Sequence, residues 1–138
     1  MTTRELLVNR WQTPDGTVLQ STHTHDYVSH VDSITGETYF IDGGTDYIRM
    51  SVNAVPMKNL SIYTDSPFEE IRQHYGRMAL NKETKSHYYI VLKDMTDEHL
   101  INAIQYNYDR GFGFLCKANI QYIRELMYRK NLNVEHIY

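Results

Sequence analysis

Four residues within eight positions carry the side chains of a metal site: His23, His25, Asp26 and His30. In an extended strand, residues two apart face the same way, so His23 and His25 reach one side together. A catalytic zinc needs three protein ligands and an open position. His23, His25 and Asp26 supply two or three, and Asp32, Asp42 or Asp46 would complete the set. The bound ion would be a divalent metal such as zinc or manganese, and the chemistry hydrolysis by a metal-dependent hydrolase or nuclease. Asp26 and His30 face the other side unless a bulge intervenes. The alternative makes these histidines half-buried strand residues bonded to neighbouring backbone or carboxylates. On that reading no cofactor is expected.

A second constellation is Tyr47 with Arg49 on one strand, near Tyr39 and Tyr27 on neighbouring strands. Rings of this kind stack on a nucleobase while a guanidinium takes a phosphate, so Tyr27, Tyr39, Tyr47 and Arg49 form a candidate ligand-binding face. The alternative is a covered sheet face with its polar tips satisfied locally. Asp42-Gly43-Gly44-Thr45-Asp46 has the glycines of a phosphate cradle, but two aspartates oppose an anion and no Walker lysine follows. It predicts a hairpin turn. Arg124, Glu125, Tyr128 and Arg129, with His99 and Asn102, read as solvated helix groups. No Ser/His/Asp or Cys/His set is evident, so no catalytic residue is assigned. Cys116 reads as a small buried hydrophobe and excludes any intrachain disulfide, being the one cysteine.

The elements that position these residues follow from periodicity and turn chemistry. Glu5–Trp11 predicts a first strand, and Pro14-Asp15-Gly16 a turn. Thr17–Val31 is extended and long enough to require a bend or bulge near His25-Asp26. Asp32–Gly36 is a turn, Glu37–Ile41 a third strand, and Asp42-Gly43-Gly44 the close of a tight hairpin. Tyr47–Val52 makes a fourth strand and Met57–Tyr63 a shorter one. Ser66, Pro67 and Glu69 have the spacing of a helix start with a capping box. That helix is expected to reach Ala79, with Phe68, Ile71, Tyr75 and Met78 inward. After an extended His87–Leu92, Thr96-Asp97-Glu98 opens a second helix with Leu100, Ile101, Ala103, Ile104 and Tyr108 inward. A third spans Leu115–Lys130, with Leu115, Tyr122, Ile123, Leu126 and Met127 inward. Asn133–Tyr138 suggests a short edge strand. The fold class is α+β: an N-terminal antiparallel meander or small barrel covered by three C-terminal helices, the last two a helical hairpin. The 138 residues are read as one domain, β-rich over 1–64 and mainly helical over 65–138.

Composition narrows the function classes. A chain of this size buries roughly two-thirds of its unfolded surface and needs neither disulfide nor structural metal to fold. The net charge of −3 argues against general nucleic-acid binding, which brings a basic excess. No apolar run approaches a membrane span, and the expected location is the cytoplasm. Twelve tyrosines, each a large apolar ring with a polar tip, suit an interface or a ligand groove.

Three blocks carry a resemblance: HTHDYVSHVDSITGETYFIDGGTDYIR (23–49), LSIYTDSPFEEIR (60–72), and LKDMTDEHLINAI (92–104) with RELMYRK (124–130). Together they resemble a family of small proteins of unassigned function encoded by tailed bacteriophages. Members of that family carry a longer, basic insert where this chain has Ala79–Ser86. The resemblance implies a small accessory protein in the host cytoplasm, more often a binder than an enzyme. It implies as partner a host defence protein or a cyclic nucleotide messenger, with a homo-oligomeric structural role as the plainer alternative. The His-x-His-Asp spacing also resembles part of the HxHxDH signature of metallo-β-lactamase-type hydrolases. One spacer residue is missing, and the chain is too short for that fold.

Overall fold

The computed structural model describes residues 4–23 and 25–137. It is α+β and divides between Thr64 and Asp65 into two compact units. Residues 5–64 hold two antiparallel sheets. In the first, β1 (Leu6–Gln12) pairs with β2 (Val18–Ser21) across the Pro14-Asp15-Gly16 turn, and with the short β6 (Lys58–Asn59) and β7 (Ile62–Tyr63). In the second, β3 (Val28–Val31) and β5 (Arg49–Met50) flank β4 (Thr38–Asp42). Neither sheet closes into a barrel. Leu19, Tyr39, Ile41 and Met57 form the core here, with Trp11, Val28 and Met50 packed on it. Burial of these apolar side chains favours the fold by roughly 1.5–3 kcal/mol each.

The long extended segment does break where its length required. Strand β2 ends at Ser21, β3 begins at Val28, and His25 between them has φ 62°. The tight hairpin at Asp42-Gly43-Gly44 is not formed, because the connection runs through Ile48 before β5. The amides of the turn are held elsewhere: Gly43 N donates to Asp42 Oδ1 at 2.8 Å and Gly44 N to Ser21 Oγ at 2.9 Å. The turn is therefore tied to the end of β2, and β5 shrinks to two residues.

The second unit begins with α1 (Phe68–His74), followed by the hairpin β8 (Gly76–Leu80) and β9 (His87–Val91), a 3₁₀ turn over Leu92–Asp94, α2 (Asp97–Asp109) and α3 (Lys117–Tyr128). The first helix thus stops well short of Ala79. A Cβ at Gly76 would lie 1.7 Å from Ile90 O, so only glycine lets the strands meet there. Tyr89 Oη accepts from Gly76 N at 2.7 Å and donates to His74 O at 3.1 Å, which fixes the change from helix to strand. Helical spacing of Phe68, Ile71, Tyr75 and Met78 is overridden by residue-for-residue pairing from Gly76↔Val91 to Leu80↔His87.

The predicted capping box is also replaced. The Glu69 carboxylate accepts from the Tyr128 hydroxyl, while Phe68 N donates to both oxygens of Glu135 at 3.2 Å. Thr96 caps α2 as expected, its Oγ1 accepting from His99 N at 3.0 Å. Helix α2 packs against α3 as a hairpin. Residues 133–137 form no strand, although Val134 is buried. No helix among the described residues is long and apolar enough to cross a membrane.

Candidate functional site

The histidine segment folds as a turn. His23 Nδ1 lies 3.6 Å from Asp26 Oδ2, which also accepts from Thr22 N at 2.9 Å. Among the described residues, the group of three metal-ligating side chains that comes within 4.8 Å of one another is Asp15, His30 and Asp32. His23, His25 and Asp26 do not converge in that way.

The Asp15–His30–Asp32 group has an occupancy of its own. Asp15 Oδ2 accepts from His30 Nε2 at 2.8 Å and Ser33 N at 2.9 Å; its Oδ1 accepts from Thr13 Oγ1 at 2.6 Å and Thr17 N at 3.0 Å. Asp32 Oδ1 accepts from Asp15 N at 2.8 Å, and its Oδ2 from Ile34 N and Thr35 N at 3.0 and 2.7 Å. A carboxylate only accepts, so His30 Nε2 carries the proton in this contact. The His30 bond, then the Thr13 and Ser33 donors, hold the Asp15 carboxyl far below its ordinary value. Burial pushes Asp32 up, but the amides of Thr35 and Asp15 more than offset it and leave it lowered. Donors occupy all four oxygens, so the cluster suits a lock between two turns better than a cation site.

On the outer face of the β3–β4–β5 sheet, Tyr27 stacks on Phe40 with ring centres 5.3 Å apart, and the Arg49 guanidinium lies 5.4 Å from the Phe40 centre. Arg49 Nη1 is 3.2 Å from Asp42 Oδ2, so its charge already has a partner. Tyr47 is partly exposed in the loop before β5. Tyr39 departs from the expected face: it is fully buried in the core, its hydroxyl donating to Val55 O at 2.6 Å. Period-two alternation along β4 places Phe40, and not Tyr39, beside Tyr27 and Arg49.

Of the helix groups read as solvated, Asn102 is exposed, His99, Tyr128 and Arg129 are half-buried, and two are interior. Arg124 and Glu125 are fully buried. Arg72 grips Glu125 with Nε and Nη2 at 2.9 and 2.8 Å, and Arg129 Nε adds a third donor at 2.7 Å. Arg129 also donates to Asp97 and to the carbonyls of Leu92 and Met95. Arg124 donates to Val134 O and Gln121 Oε1 and lies 4.6 Å from the Phe68 ring centre. Burial and this pairing rotate α3, so that Asn119, Gln121, Tyr122, Arg124 and Glu125 face inward, and Tyr122 alone is shared with the apolar face predicted.

Large apolar side chains are exposed at the α2–α3 connection. Phe112, Phe114 and Leu115 are 64%, 54% and 66% exposed, with Tyr108 similarly open. The loop that carries them is built. Gly111 and Gly113 have φ of 83° and 90°, and Phe112 N closes on Asn107 O at 3.1 Å. The buried Asn119 donates to Ile104 O at 3.2 Å and Phe114 O at 2.9 Å, and accepts from Asn107 Nδ2 at 2.9 Å. Tyr108 and Phe114 meet edge to face at 6.3 Å. Glycines on either side of a phenylalanine were the sequence signal for this loop. Comparisons with protein-family models, curated proteins and solved structures return no match.

Proposed function

We propose that the protein is non-enzymatic and acts by binding another protein through the Tyr108–Leu115 loop, as a bacteriophage accessory protein inhibiting a host defence protein in the host cytoplasm would. The observation that supports this reading is a loop held by backbone bonds and a buried asparagine while presenting Phe112, Phe114 and Leu115 to solvent. Large apolar groups presented in a fixed geometry lose little conformational freedom on docking, and such anchors dominate protein interfaces. Arg110, at the base of the loop, adds a cation for an acidic rim on the partner.

The nucleotide-messenger reading has Tyr27, Phe40 and Arg49 in its favour and ranks second, since Arg49 is paired with Asp42. The metal-hydrolase reading draws least support: His23, His25 and Asp26 do not converge, and the carboxylates of the Asp15–His30–Asp32 group are occupied.

The test compares the wild-type chain with Phe112→Ser/Phe114→Ser and with Val52→Ser, a fully exposed control in the other unit. Native mass spectrometry in bacterial host lysate is expected to give one stoichiometric partner with wild type and control, absent with the loop variant. A partner retained by the loop variant removes the reading. A homodimer lost in the loop variant would instead assign the loop to self-association.

A further inference from the structure

A cleft of about 520 Å³ lies between the β8–β9 hairpin and α2. That is a usual size for a small-molecule site. Arg77, His87 and Tyr88 line it from the hairpin, His99 and Tyr106 from the helix, and no carboxylate contributes to its wall. The pairing of Ala79 with Tyr88 explains the depression: these two and Arg77 share one face of the hairpin, and Ala79 contributes only a methyl group between the longer side chains. The hairpin base is fixed by the close approach at Gly76 and the two hydrogen bonds of Tyr89.

The charges of this cleft are unbalanced. The Arg77 guanidinium lies 5.6 Å from the Tyr106 ring centre, and Arg110, outside the lining of the cleft, lies 4.9 Å from the same centre. Among the described residues, neither arginine meets a carboxylate within ion-pair distance, unlike Arg49, Arg72 and Arg129. The rings of His87 and His99 likewise have no hydrogen-bond partner among those residues. Burial, then the charge of Arg77, lowers the affinity of His99 for a proton. One guanidinium, two imidazoles and two tyrosine rings line this concavity and match a ligand with a phosphate at one end and a flat ring at the other. Guanidinium takes the phosphate oxygens, and a tyrosine face takes the ring.

We propose that this cleft binds a small phosphorylated aromatic ligand of the mononucleotide class, with Arg77 on the phosphate and Tyr88 against the ring. The site is independent of the protein-docking reading, since its residues are different from Phe112, Phe114 and Leu115. It also does not use the Tyr27–Phe40–Arg49 face. Binding alone is proposed; nothing in the cleft supplies a carboxylate base or a metal ligand set.

The full-length chain would be titrated calorimetrically with adenosine and guanosine 5′-monophosphates, adenosine, and inorganic phosphate. At least one nucleotide is expected to bind more tightly than either phosphate or the nucleoside. Arg77→Ala and Tyr88→Ser should each weaken that binding by about tenfold or more. Tyr88 is partly exposed, so its variant remains informative if Arg77→Ala fails to fold. In an NMR titration, bound nucleotide should raise the His99 pKa, since an added anion favours the imidazolium. Phosphate binding as tightly as the nucleotide overturns the proposal, as does nucleotide binding undisturbed by both substitutions. So does the absence of any binding at millimolar ligand.

Discussion

The two units keep carboxylates away from water by different means. In residues 5–64 the acceptors of Asp15 and Asp32 are filled mainly by backbone amides from the turns they belong to or adjoin, with His30 and Thr13 adding side-chain donors. In the helical unit, buried Glu125 is held by two guanidiniums, one from Arg72 at a distance of 53 residues in sequence. The first arrangement is mostly neutral and formed by turn geometry. The second is ionic and requires α1 and α3 to be packed already. Removing a turn donor weakens one corner, whereas removing Glu125 leaves the half-buried Arg72 without its ion-pair partner and Arg129 with Asp97 alone.

Glu125→Ala should therefore have the largest effect, a loss of about 3–5 kcal/mol from the helical unit. Far-UV circular dichroism of the helices would follow it, while the fluorescence of Trp11, the single tryptophan, reports the β unit. Equal shifts of both probes would mean that the two units unfold as one cooperative block. Next in size is Asp32→Ala, expected to lower the Trp11-detected Tm by roughly 5–10 °C through loss of the turn bonds. If the helix probe moves more than the Trp11 probe, the division drawn between the units is wrong.

The acid limb sharpens the contrast. The carboxyls of Asp15 and Asp32 lie below their ordinary value of 3.8 in the folded chain. The unfolded chain thus binds more protons at low pH. Their stabilisation is complete above that value and is lost as pH falls from there towards their folded pKa values. Asp15→Asn should flatten this acid-induced decline in Trp11-monitored unfolding; an unchanged slope would remove Asp15 from the explanation. Tyr39→Phe should cost about 1 kcal/mol, the bond to Val55 O, in denaturant titration. The smallest effect belongs to Arg49→Ala, whose exposed pair with Asp42 contributes roughly 0–1 kcal/mol. A larger loss on the Trp11 signal would show that ion pairing matters to the β unit as well.

The same contrast explains what could be read in advance. Pro14-Asp15-Gly16, Asp32–Gly36 and the Thr96 cap act within a few residues, and each formed where predicted. The break near His25 followed from strand length. Expectation failed where a distant partner intervened. Glu135 displaced Glu69 from the start of α1, β9 drew Gly76–Leu80 out of the helix, and Tyr39 turned inward with its alternation. The candidate site was least legible, because the loop that presents Phe114 and Leu115 is held by the buried Asn119, whose partners Ile104 and Asn107 come from α2.

The sequence by itself determined the α+β class and the turns, because these depend on backbone preferences and neighbouring side chains. Tertiary structure decided which charges are buried and which aromatic rings remain exposed. It also decided that Arg77 and Tyr106, far apart in the chain, flank one cleft. Those outcomes depend on pairing between distant segments, where the desolvation of a charge is offset only by a partner that folding brings to it.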